Sequence, residues 1–255
     1  MKPRHWGLLL FLLVGIVKLP MEHRVYQHLS AEEVLPPRME VGVMENLGQM
    51  GLAASLGGLR SMVASGLYLS AASAWDEKDW GSVDNRMSIA TRLDPRYDGY
   101  WDNAANFMAY DAASWAREQP EFYTQQLYGH YVKRGIEVIQ QGLTYLPKSY
   151  RLHQNLGEVF SARPQPPDPK QAGEHFLLAF QNGALPVYER RAAYEFAKLA
   201  NDPASWKKGY AILQQNYANG NKMPGVISNL KTLEQKLNIP LAQRIPDPMP
   251  PQFRR

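Results

Sequence analysis

One stretch constrains this chain more than any other. Between Tyr150 and Pro186 small, aromatic and proline residues fall at helical intervals: His153, Leu156, Gly157 and Phe160, then Ala172, Phe176 and Ala179, then Pro186. Gly157, Ala172 and Ala179 are small enough to let two antiparallel helices approach closely, and the aromatic rings fill the space beside them. Proline cannot continue a helix, so Pro186 closes the pair. The pattern specifies a scaffold and says nothing of a partner.

Taken in order, His153-x-x-Leu156-Gly157-x-x-Phe160, Ala172-x-x-x-Phe176 and Pro186 resemble the tetratricopeptide pattern W-x-x-L-G-x-x-Y, A-x-x-x-F and a closing proline. His and Phe stand where that family has Trp and Tyr. The resemblance implies an all-α fold, an α-solenoid of about three to four degenerate helix hairpins. Weaker copies precede this one. Leu67, Ser70, Ala71 and Ala74 share one helical face, and Val83, Met87 and Ala90 share another before Leu93-Asp94-Pro95 ends the pair. A further copy opens at Trp101-x-x-Ala104-Ala105-x-x-Met108, with Trp in the family's own place.

The closing prolines test the period. Pro95 and Pro147 are 52 residues apart, and Pro147 and Pro186 are 39 apart, against ~34 for one repeat. The first excess is assigned to lengthened helices on either side of Glu118 to Tyr123, the second to a stiff loop from Arg163 to Pro169. Ala192, Ala193, Phe196 and Leu199 predict another helix, Trp206 to Tyr217 its partner, and Asn219-Gly220-Asn221 their stop. Val226 to Leu237 reads as a closing amphipathic helix. The helical domain thus spans 58–238. Apolar positions recur at three and four and β-branched residues are sparse, which argues for helices over strands.

Outside that domain the composition changes. Lys2, Arg4 and His5 precede 12 uncharged residues, Trp6 to Val17, the arrangement of a basic start and an apolar middle. No small-x-small cleavage site follows, so residues 1–20 are expected to be an uncleaved signal-anchor, ahead of a cleaved signal segment and a buried core helix, although a spanning helix usually needs ~20 residues. Residues 21–57 form a linker and a Gly-rich lead-in. Residues 239–255 hold five prolines in 17 positions and are expected to be an extended or disordered tail. The expected location is the bacterial inner membrane, single-pass, with the helical domain on the periplasmic side.

The chemistry of enzymes is not written here. The six histidines, at 5, 23, 28, 130, 153 and 175, make no His-x-x-x-His or Glu-His zinc pattern. His153 and His175 belong to the two helices of one hairpin and can approach each other, as packing residues. There is no Gly-x-Ser-x-Gly elbow and no phosphate-cradling loop. Asp76, Glu77 and Asp79 mark a solvated turn. The expectation is therefore no catalytic residue, no metal, no cofactor and no small-molecule substrate. Cysteine is absent and the net charge of +4 is dispersed, so nucleic-acid binding is permitted but not indicated.

A groove is the better candidate for function. In solenoids the first helix of each pair lines a concave surface that reads extended peptides. Asn106, four residues past Asp102, and Asn155, four past Arg151, match the two asparagine positions with which the family often holds a peptide backbone or a terminal carboxylate. The family's usual clamp lysine is replaced by Asp102, which removes the case for binding a chaperone tail. The candidate peptide-binding residues are Asp102, Asn106, Tyr110, Arg151 and Asn155; Tyr68 and Trp75 are expected on the same surface. The leading expectation is a membrane-tethered scaffold that binds protein partners in the assembly or maintenance of an envelope complex. The small residues of Gly42 to Gly58 favour an alternative, a stoichiometric subunit of a larger membrane machine; an RNA-binding helical repeat comes third.

Overall fold

The structure is a computed structural model that describes residues 59–246. The signal-anchor expected at 1–20 and the Gly-rich lead-in lie outside these residues. Among the described residues there are helices and no strands, and no helix is long and apolar enough to cross a membrane.

The chain runs α1 (Arg60–Asp76), α2 (Trp80–Leu93) and α3 (Asp98–Asn106), which passes through a π-helical turn (Phe107–Ala112) into α4 (Ala113–Ala116). Then follow α5 (Glu121–Tyr145), α6 (Tyr150–Ala162), α7 (Pro169–Gln181), α8 (Val187–Lys198), α9 (Pro203–Ala218) and α10 (Pro224–Lys236). A 3-10 turn, Leu241–Gln243, ends the series. Helix boundaries follow from local chemistry. Asp79, Ser149, Asp168 and Asp202 each accept a backbone N–H of the following helix, and Pro169, Pro203 and Pro224 occupy first-turn positions where no N–H is needed. Gly220, at φ 87°, supplies the left-handed residue that stops α9.

Consecutive helices pack on one another in a solenoid-like arrangement. α1 pairs with α2, α3 and its continuation with α5, α6 with α7, and α8 with α9, while α10 covers the last pair. Val83, Met87, Ala90 and Leu93 are buried on one face of α2, as their spacing demands. The long gap between Pro95 and Pro147 is absorbed by helix, since α5 alone runs 25 residues. The shorter excess is the loop between α6 and α7. Glycine notches set the close approaches: a Cβ on Gly157 would lie 2.6 Å from the Phe176 ring, so the helix carrying that ring seats directly on the α6 backbone.

The start of the proline-rich tail differs from the expected free extension. The fully buried Glu234 carboxylate on α10 accepts the Ile245 N–H at 2.7 Å. Lys231 Nζ reaches both Glu234 and the Ile245 carbonyl, and the Ile245 side chain packs against the cluster of Val226, Leu230 and Leu233. A buried carboxylate needs donors, and the tail provides one.

Candidate functional site

The first helices α3, α6 and α8 bring a row of polar side chains together. From α3 and its π-helical continuation come Asp102, Asn106 and Tyr110; from α6, Asn155 and Glu158; from α8, Tyr188 and Arg191. Asn155 Nδ2 donates to Asp102 Oδ1 at 2.6 Å and to Asn106 Oδ1 at 3.1 Å. Three of the expected residues therefore meet. Asn155, however, is only 6% exposed and its own Oδ1 accepts no hydrogen bond from the described residues. It is a buried brace between α3 and α6. Because Asn155 occupies Asn106 Oδ1, Asn106 is left to act as a donor through its own N–H groups.

Burial pushes the Asp102 carboxyl above its ordinary value, partly offset by the Asn155 hydrogen bond. Tyr110 is pushed up to about 12, by burial first and by the Glu158 charge second. Arg151 stands apart at the exposed rim, 3.6 Å from Asp98. Trp75 donates its Nε1–H to Asp111 at 2.9 Å, and Tyr68 packs against Tyr100 at 5.9 Å, so both line the seam between α1 and α3.

Glu158 and Arg191 escape a reading by asparagines alone, and Tyr188 escapes it with them. Arg191 Nη1 lies 2.8 Å from Glu158 Oε1, and Tyr188 Oη donates to the same oxygen at 3.4 Å. The guanidinium also stands over the Phe176 ring, 4.2 Å from its centre. The signal for both was present: Glu158 is three residues past Asn155, hence on the same face. Arg191 precedes Ala193 by two residues, as Asn155 precedes Gly157.

The π-helical turn is the other feature of the site. A wider turn shifts carbonyls out of the i→i−4 ladder, and Arg163, at the end of α6, adds donors to two of them. Its Nε donates to the Ala109 carbonyl at 2.8 Å and its Nη2 to the Tyr110 carbonyl at 3.3 Å and to Ser114 Oγ at 3.2 Å. Its Cζ stands 4.9 Å from the Tyr110 ring centre. Arg163→Met keeps most of the packing and removes the donors. It is expected to lower unfolding stability by about 2 kcal/mol in urea titration, the scale of hydrogen bonds to a charged group; a change under about 0.5 kcal/mol would mean the turn holds itself.

Comparison with protein-family models, curated proteins and solved structures finds no match.

Proposed function

We propose that this protein is a tetratricopeptide-like scaffold, tethered to a membrane by its N-terminal segment, that holds an extended segment of a partner protein. The tether rests on the basic start and uncharged run of Lys2 to Val17, and with it goes a helical domain on the periplasmic side of a bacterial inner membrane. The interaction it mediates serves the assembly or maintenance of an envelope complex. The observation that carries the binding reading is the continuous row across three successive first helices. Asn106 offers donors, Asp102 and Glu158 offer acceptors, and Arg191 offers a charge, all half-buried. An extended peptide presents alternating carbonyls and N–H groups, which is what such a row can satisfy.

The test uses the full chain in membranes. Asn106→Ala combined with Arg191→Gln removes a donor set and a charge while sparing the Asn155 brace. Crosslinked capture of the wild type's partners is expected to fall by about tenfold, the yield of one to two hydrogen bonds. Unchanged capture with unchanged helicity would move binding off this face. One observation favours the second reading, a fixed subunit of a larger assembly: Met62 and Leu69 on the outer face of α1 are 69% and 67% exposed. A detergent extract that runs as one large particle of constant stoichiometry would put that reading first.

A further inference from the structure

Away from the row of polar side chains, the turn joining α2 to α3 opens a cleft of about 390 Å³ against α1. Tyr68 of α1 and Tyr97 and Tyr100 at the start of α3 line it, with Asp94, Ser65 and Asn103. The three rings are mutually inclined. Tyr97 meets Tyr100 edge to face, with centres 4.7 Å apart and planes at 76°, and Tyr68 lies 5.9 Å from Tyr100 at 43°. Tyr100 is buried beneath the other two, so Tyr68 and Tyr97 supply the more exposed ring surface of the cleft, and aromatic faces carry negative potential.

The cleft is also negative by charge and by dipole. Asp94 caps the C-terminal end of α2, where the helix carbonyls converge. Its Oδ2 accepts the Ser61 hydroxyl at 3.0 Å, which fixes the carboxylate in place. The opposing positive end of α3 is offset by Asp98 in its first turn. Tyr97 is 51% exposed yet seated, because its ring lies on Gly99, where a Cβ would come within 2.7 Å. Within the polar lining, Ser65 Oγ and Tyr100 Oη share a hydrogen bond of 2.9 Å, and Asn103 Nδ2 donates to the Gly99 carbonyl at 2.7 Å. The cleft thus combines ring surface with negative charge. Ring faces hold an alkylated ammonium without hydrogen bonds, and the carboxylate matches its charge.

We propose that the cleft of Tyr68, Tyr97, Tyr100 and Asp94 is an aromatic cage that binds a methylated ammonium group of the choline type. The volume admits a head group of that size. The same group can arrive free or on a lipid, and the experiment separates the two. Full-length protein in a maltoside detergent is titrated with choline and with 3,3-dimethylbutan-1-ol, its neutral isostere, using saturation-transfer NMR on the methyl protons. Choline is expected to bind at least about tenfold more tightly than the alcohol. Tyr97→Leu and Asp94→Asn are each expected to weaken choline by about tenfold, whereas Tyr97→Phe, which keeps the ring, retains it. Protein reconstituted with phosphatidylcholine vesicles that responds to those variants, without binding free choline, assigns the head group to lipid. Equal binding of the neutral alcohol, insensitivity to both Tyr97→Leu and Asp94→Asn, or no response to choline in either form overturns the proposal. Circular dichroism confirms that each variant keeps its helices.

Discussion

Phe176→Ala is expected to lower the unfolding free energy by about 3–5 kcal/mol, the scale of emptying an aromatic site in a packed core. Phe176 is fully buried and joins three helices. It rises from α7 into the notch of Gly157 on α6, packs against Tyr188 of α8 at 5.8 Å, and carries the Arg191 guanidinium on its face. No single neighbour can close the space it leaves. The complementary change tests the cause. Gly157→Ala places a Cβ 2.6 Å from the Phe176 Cδ1, an overpacking expected to cost about 1–3 kcal/mol. Adding Phe176→Leu should recover part of that loss, so the double variant is more stable than the sum of the single losses predicts. Urea titration of the four proteins in the cycle decides it: strictly additive losses would mean that notch and ring are not coupled. The seam bears on the proposed peptide-binding face because Arg191 and Tyr188 rest on this ring.

The hairpins were legible because their determinants are local. Gly157 opposite Phe176, and Gly173 opposite Phe196 one seam further on, are small-against-aromatic contacts written at helical intervals. Val83, Met87 and Ala90 share a face for the same reason, and prolines with Asn-Gly mark the stops. The site was legible in part. Asp102, Asn106 and Asn155 do meet, since their positions follow from the repeat spacing. That Asn155 is a buried brace depends on how closely α3 lies over α6, which the sequence of α6 does not state. The π-helical turn is less readable still. Two of its carbonyls accept from Arg163, more than fifty residues along the chain, so nothing within Phe107 to Ala112 signals it. The cleft of tyrosines has the same origin. Tyr68 belongs to one helix and Tyr97 and Tyr100 to another, and only the packing of α1 on α3 gathers them. The docking of Ile245 on α10 likewise answers a demand made by Glu234, not by the proline-rich tail itself.

Acidification supplies the second large effect. His153 and His175 join α6 to α7 through their Nδ1 atoms, 3.0 Å apart. The ring centres are 5.3 Å apart with planes at 24°, so the nitrogens lie between the rings, as an end-on N–H···N bond requires. His153 Nε2 is 3.1 Å from the Pro147 carbonyl and must carry hydrogen, which leaves its Nδ1 as the acceptor and His175 Nδ1–H as the donor. A proton added at His153 Nδ1 would set two N–H groups against each other. Burial, with the His153 charge second, holds His175 down to about 4, and burial lowers His153 despite the Pro147 bond. Both values lie below the ordinary 6.5, so the unfolded chain takes up protons before the folded one does. Stability is therefore complete above pH 6.5 and drains away as the pH falls towards about 4. Each pKa unit is worth about 1.4 kcal/mol, so His175 alone accounts for a loss on the order of 3 kcal/mol. Asp102, whose carboxyl is raised by burial, works in the opposite sense and returns part of the loss as it protonates. His175→Gln separates the contributions, because it keeps a donor for His153 Nδ1 and cannot titrate. Between pH 7 and pH 4.5 the wild type should lose about 2 kcal/mol more unfolding free energy than His175→Gln; parallel profiles would show that His175 carries none of the acid sensitivity.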